Sequence, residues 1–164
     1  MGNIFTISLI LLQSLGYFFI GANNSYSVLL PKELTLVKID SLSDEFIIHT
    51  FLGVDESSKF EYSITISLLE NGKDSLESHE SIATYEIDCD CKVIGVEKVE
   101  FLHFEGTQYQ IHKEREGLKI GGLVYFSNNT GEKSINVAGL ALDEDLEKLK
   151  HKLEPILNTM VFNF

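Results

Sequence analysis

The chain has 164 residues, a formal net charge of -12 from 25 acidic and 13 basic side chains, two cysteines and no tryptophan. That length suits one domain whose core needs no disulfide staples. The acidic balance excludes nucleic acid and anionic lipid headgroups as natural partners, because like charges repel, and it favours a basic protein partner or a cation while also serving solubility.

Ile4 to Ala22 is an apolar run of nineteen residues with Gln13 and Ser14 inside it and no Lys or Arg before it; polar Asn23-Asn24-Ser25 follows. The pattern is that of an export signal, with Gly21-Ala22 supplying small residues at a cleavage point after Ala22. Nineteen residues also just reach the length that a bilayer requires, so an uncleaved anchor over residues 4–22 is the alternative. Residues 1–22 are therefore read as a signal peptide or membrane anchor and 23–164 as a single domain. That domain is placed outside the cytoplasm, periplasmic or secreted, and meets a membrane only through the N-terminal segment if it is uncleaved.

Tyr26, Val28 and Leu30 alternate with other residues and stop at Pro31, as in a short edge strand. A short apolar segment, Leu34 to Ile39, follows. Glu45 to Leu52 is mostly apolar and rich in strand formers, which predicts a buried strand. The clearest alternation sets Phe60, Tyr62, Ile64, Ile66 and Leu68 against Glu61, Ser63, Thr65 and Ser67, giving one dry and one wet face. Asn71-Gly72 signals a turn. A second alternation places Ala83, Tyr85, Ile87, Cys89, Cys91 and Val93 on one side of a strand and Thr84, Glu86, Asp88, Asp90 and Lys92 on the other.

Further strands are predicted over Glu97 to Phe104, Thr107 to His112, Leu118 to Phe126 and Ser134 to Leu142, the last two joined by the polar loop Ser127 to Glu132. Gly121-Gly122 suggests a bulge or bend. Leu146, Leu149, Leu153, Ile156, Leu157 and Met160 form one helical stripe, with Asp143 as the expected N-cap and Pro155 as the expected site of a kink or restart. The fold class that follows is α+β, a single antiparallel β-sheet packed by a C-terminal amphipathic helix.

Three groups of residues invite a chemical reading. In an extended strand Cys89 and Cys91 lie on one side about 7 Å apart, so buried thiols are favoured over a strained disulfide or a metal or catalytic thiol. On the other side Glu86, Asp88 and Asp90 form an acidic stripe, a docking site for basic residues or a cation, or else a solvated face. His103 and His112, on adjacent predicted strands, are the weak metal or acid/base candidates. Phe101, Phe104, Tyr125 and Phe126 read as core, with an apolar cleft between sheet and helix as the alternative. No nucleophile, base and orienter can be named together, and no cofactor is expected.

The stretch Tyr26-Ser27-Val28-Leu29-Leu30-Pro31-Lys32 resembles the opening strand and proline of PsbP-like domains. The ending is similar too, with a hairpin followed by Asp143-Glu144-Asp145-Leu146 and then Ile156-Leu157-Asn158-Thr159-Met160. The resemblance covers the two ends of the chain, without the tryptophan that often follows the family's first proline. It implies an antiparallel sheet flanked by helices and a non-catalytic binding or assembly role, and it marks no residue as functional. Three functional readings result. The first is an exported non-enzymatic domain that binds a protein partner through its acidic surface. The second is an inhibitor or immunity protein that blocks a toxin enzyme, and the third a metal-binding protein or enzyme using His103, His112 and the cysteine pair.

Overall fold

The computed structural model describes residues 16–21, 24–43, 46–70, 86–87, 89–127 and 133–163. In chain order the strands are β1 (Gly16–Ile20), β2 (Tyr26–Pro31), β3 (Leu34–Ser43), β4 (Phe46–Asp55), β5 (Phe60–Glu70), β6 (Lys92–Phe101), β7 (Phe104–Arg115), β8 (Leu118–Ser127), β9 (Lys133–Leu142) and β10 (Val161–Phe162). A 3-10 turn, Asp143–Asp145, leads from β9 into the helix α1 (Leu146–Thr159). Two antiparallel sheets result, one of three strands in the order β1-β2-β10 and one of seven in the order β3-β4-β5-β9-β8-β7-β6.

The single sheet expected from the sequence is therefore corrected to two. β2 does not join the ladder of β3. Tyr26, Val28 and Leu30 are fully buried in the same core as the helix stripe, and the Leu29 N–H donates to Thr159 Oγ1 at 3.1 Å. Nor is β2 an edge: β1 pairs with it along one side, from Gly16 opposite Pro31 to Ile20 opposite Ser27, and β10 along the other. β1 lies inside the run read as an export segment. Its Phe19 meets the rings of His49 and Phe51 edge-on at 5.1 Å. Among the described residues no helix is long and apolar enough to cross a membrane.

Between the sheets sits the core. Phe60, Tyr62, Ile64, Ile66 and Leu68, the dry side of the alternation in β5, are all buried, and so are Ile135 and Val137 of β9 and Leu123 and Tyr125 of β8. From above, Leu149, Leu153, Ile156, Leu157 and Met160 close this layer, each with no exposed surface. Full burial of one such aliphatic side chain stabilises the fold by roughly 1.5–3 kcal/mol before entropy is counted.

One local expectation is corrected and two are narrowed. Asp143 is not the N-cap: the chain first makes the 3-10 turn, and the Asp143 carboxylate lies 3.1 Å from His112 Nδ1. The helix runs through Pro155 without a restart. Both Pro155 and His151, whose carbonyl loses its donor, have exposed side chains, so that carbonyl lies on the side of the helix that water can reach. Gly121 and Gly122 make no bulge, since β8 keeps unbroken register with β7 and β9 through them. The glycine serves packing instead: a Cβ on Gly122 would fall 2.6 Å from Leu140 Cδ2 and 2.7 Å from Ile111 Cγ1.

Candidate binding face

The segment read as a second long alternation is not a strand at Glu86, Ile87 or Cys89 to Cys91, and strand begins only at Lys92, the start of β6. The backbone is helical at Glu86, Ile87 and Cys89, and Asp90 takes a positive φ of 50°. Hydrogen bonds from Asp90 N to the Ile87 carbonyl and from Cys91 N to the Glu86 carbonyl close the turn. In this conformation the Cα atoms of Cys89 and Cys91 are 5.2 Å apart and the two residues form a disulfide. The expectation of buried free thiols is thus corrected. The argument against a bond between residues two apart assumed extended backbone, and the turn shortens the separation into the ordinary disulfide range.

The acidic stripe goes with the strand. Glu86 Oε1 accepts from the Val93 N–H at 2.8 Å, so this carboxylate holds the turn against the start of β6. Asp90 is exposed, its Oδ2 lying 3.7 Å from Lys113 Nζ. Asp88 lies outside the described residues. His103 and His112 do not meet either: His103 is exposed in the turn before β7, whereas His112 is far along β7, roughly 30 Å away at the rise of an extended strand. Among the described residues no group of three or more His, Cys, Asp or Glu is arranged to hold a metal ion.

Two titratable clusters lie deeper. His49 is buried, with Nδ1 2.8 Å from the Tyr26 hydroxyl; burial lowers the pKa of the imidazole and raises that of the phenol. Lys152 of α1 reaches Glu33 at 2.8 Å and Asp55 at 3.0 Å, tying the helix to the turn before β3 and to the end of β4. The Ser57 hydroxyl, then Lys152, hold the Asp55 carboxyl well below the usual carboxylate range. For Glu33 desolvation is the largest single effect and opposes ionisation, but the hydrogen bond and charge of Lys152 together with a backbone hydrogen bond outweigh it in sum, and the pKa is lowered. On Lys152 burial likewise opposes the charge, and the two carboxylates reverse that, raising its pKa.

A cleft does occur where the edge of the sheet meets the helix, about 280 Å³ in volume. Glu97, Gln108, Gln110, Glu147 and Lys150 line much of it, so it is more polar than the apolar cleft considered from the sequence. A larger feature lies on the opposite face of the seven-stranded sheet. There a groove of about 600 Å³ runs across β4, β5, β9 and β8, floored by Leu52, Val54, Leu118, Ile120, Leu140 and Leu142. Leu52 is 49% exposed, Val54 48%, Leu118 58%, Leu140 38% and Leu142 44%. Glu61, Asp145 and Lys59 stand around it. Reading β4 as a buried strand, and β9 as a strand with no face assigned, missed this groove. Apolar residues on both sides of each strand were the available signal, and only the sheet order shows which side the helix covers.

No known sequence family matches the chain, and no curated protein matches it in sequence. Solved structures do match in fold. A protein from Bacteroides thetaiotaomicron superposes with a TM-score of 0.59 at 13% identity over 91% of this chain, which spans about half (49%) of that protein's length. LpqN of Mycobacterium tuberculosis, described as involved in cell envelope biogenesis, gives a TM-score of 0.56 at 11% identity, covering 85% of this chain and 83% of its own. Cyanobacterial PsbP from Synechocystis gives 0.57 at 12% identity, covering 90% of this chain and 92% of its own. Over 90% of this chain, the fold is PsbP-like.

Proposed function

We propose that the chain is an exported, non-enzymatic binding domain that engages a protein partner on the outer face of its seven-stranded sheet. The observation that carries this reading is the apolar groove over Leu52, Val54, Leu118, Leu140 and Leu142. Contiguous exposed apolar surface with charged residues around it is what protein interfaces use, because its burial drives association while the rim sets orientation. The net charge of -12 adds long-range attraction for a basic partner. An extracytoplasmic location accords with the apolar N-terminal run, and LpqN, one of the proteins sharing the fold, is described as involved in cell envelope biogenesis.

The test is capture of partners from an extract of the native host, at low and high salt, with the native protein and with Leu140→Glu. Leu140 is exposed enough for the variant to keep its circular dichroism spectrum. The expected result is a specific band that weakens at high salt and is lost with Leu140→Glu. Capture that is indifferent both to salt and to the variant would refute the reading.

A further inference from the structure

The Cys89–Cys91 bond joins residues two apart in one turn and bridges no two elements of the fold. A cross-link stabilises chiefly through the loop it closes in the unfolded chain, and that contribution is smallest when the loop is three residues long. The turn is also held without it. Backbone bonds from Asp90 and Cys91, the Glu86 carboxylate on Val93 N, and Lys113 Nζ donating to the Cys89 carbonyl at 2.6 Å all fix its shape. A bond that neither staples the body nor shapes its own turn is left with its chemistry.

That chemistry has access and a suitable setting. A surface cavity of about 660 Å³ opens beside the bond, lined by Cys91, Glu86, Asp90, Lys92, His112 and Lys113 among others. Cys91 lines this cavity and is 8% exposed, while Cys89, the other half of the bond, is the less buried of the two residues. Cationic side chains beside a cysteine favour its thiolate, and Lys113 is anchored within the turn itself. The carboxylates in the same place are partly engaged, Glu86 by Val93 N and Asp90 by Lys113.

We propose that Cys89–Cys91 is a reversible thiol–disulfide couple that exchanges with a low-molecular-weight thiol. The thiolate RS⁻ attacks Cys89 Sγ, the protein S–S bond breaks, and Cys91 leaves as a thiolate that takes a proton from water. A second RS⁻ attacks the R-side sulfur of the mixed disulfide and releases Cys89 as a thiolate, which is protonated in turn. The sum is protein disulfide plus two RSH giving protein dithiol plus RSSR, and the reverse reaction reoxidises the pair. Both cysteines pack against Tyr109, Ile111, Val124 and Phe126, a hydrophobic cluster separate from the main core, so the couple acts on the outer face of the sheet without disturbing the layer under the helix.

The experiment is redox equilibration of the folded full-length protein in graded ratios of reduced to oxidised glutathione, followed by acid quench, alkylation and intact mass. The expected result is a gain of two alkyl groups that rises and reverses with the ratio, while thermal unfolding stays cooperative with its midpoint shifted by only a few degrees. Lys113→Gln should slow exchange several-fold. A bond that no glutathione ratio opens, or a reduced protein without cooperative unfolding, would overturn the proposal, and so would Lys113→Gln exchanging at the native rate.

Discussion

Gly139 and Leu153 offer a sharp test of how α1 is seated on the sheet. Leu153 is fully buried in the core, and Leu153→Ala removes three carbons there, a loss expected to cost about 2–5 kcal/mol. Gly139 of β9 lies beneath it: a Cβ at this position would stand 2.5 Å from Leu153 Cδ1 and 3.1 Å from Leu149 Cδ1. Carbon atoms rest at roughly 3.5–4.0 Å, so Gly139→Ala forces a displacement of about 1 Å and is expected to cost about 1–3 kcal/mol. In the double variant the new methyl occupies space that the truncated leucine vacates. Its destabilisation should therefore fall short of the sum of the single changes by about 1–2 kcal/mol. Equilibrium urea unfolding followed by circular dichroism, with the native protein and all three variants, measures this coupling. Additivity within about 0.5 kcal/mol would refute the close approach of helix and strand inferred from the structure.

Other perturbations address the charged clusters and the first strand. Because Ser57 and Lys152 hold the Asp55 carboxyl below its unfolded-chain value, its stabilising contribution is complete above about pH 4 and is lost as pH falls towards the folded-state value; Lys152→Met should flatten that acid limb in a series of thermal melts. Burial depresses the pKa of His49, so protonation favours the unfolded chain and stability declines as pH drops below about 6.5. Replacing the pair together, as Tyr26→Phe with His49→Phe, leaves no polar atom orphaned, and melting points measured between pH 7 and 5 should then lose this component of the slope. A chain beginning at Gly16 should outlast one beginning at Asn23 by about 2 kcal/mol, from the packing of Phe19 on His49 and Phe51. Equal melting points for the two would show that β1 adds nothing.

The parts of the fold readable from sequence are those where one periodicity dominates. Phe60 to Leu68 alternates without interruption, and each of its apolar residues at even positions is buried. The stripe from Leu149 to Met160 is equally unambiguous. What escaped depends on partners distant in sequence. Whether β2 joins β3 or makes its own sheet depends on its pairing with β1 and with β10 at the far end of the described residues, and nothing local to Tyr26–Pro31 reports it. The segment before Val93 failed for a different reason. Its residues alternate in polarity, but two of the apolar positions are cysteines, and a non-glycine positive φ at Asp90 turns the chain where no glycine or proline signals it. The apolar groove was hidden because Leu52 and Leu140 look like core residues until the sheet order puts them on the side away from α1.

The strand order also bears on how the protein assembles. β3, β4 and β5 form one meander and β6 to β9 another, each joined by neighbours in sequence, and the seven-stranded sheet exists only because β5 pairs with β9. Zipping within either meander closes short loops and is fast, whereas the seam from Tyr62 opposite Ala141 to Glu70 opposite Lys133 must bring together segments more than sixty residues apart. Refolding should therefore be limited by this single ladder. Conservative truncations along the seam, such as Ile66→Val or Val137→Ala, would slow the folding arm of a chevron more than equal losses within the β6–β7 hairpin.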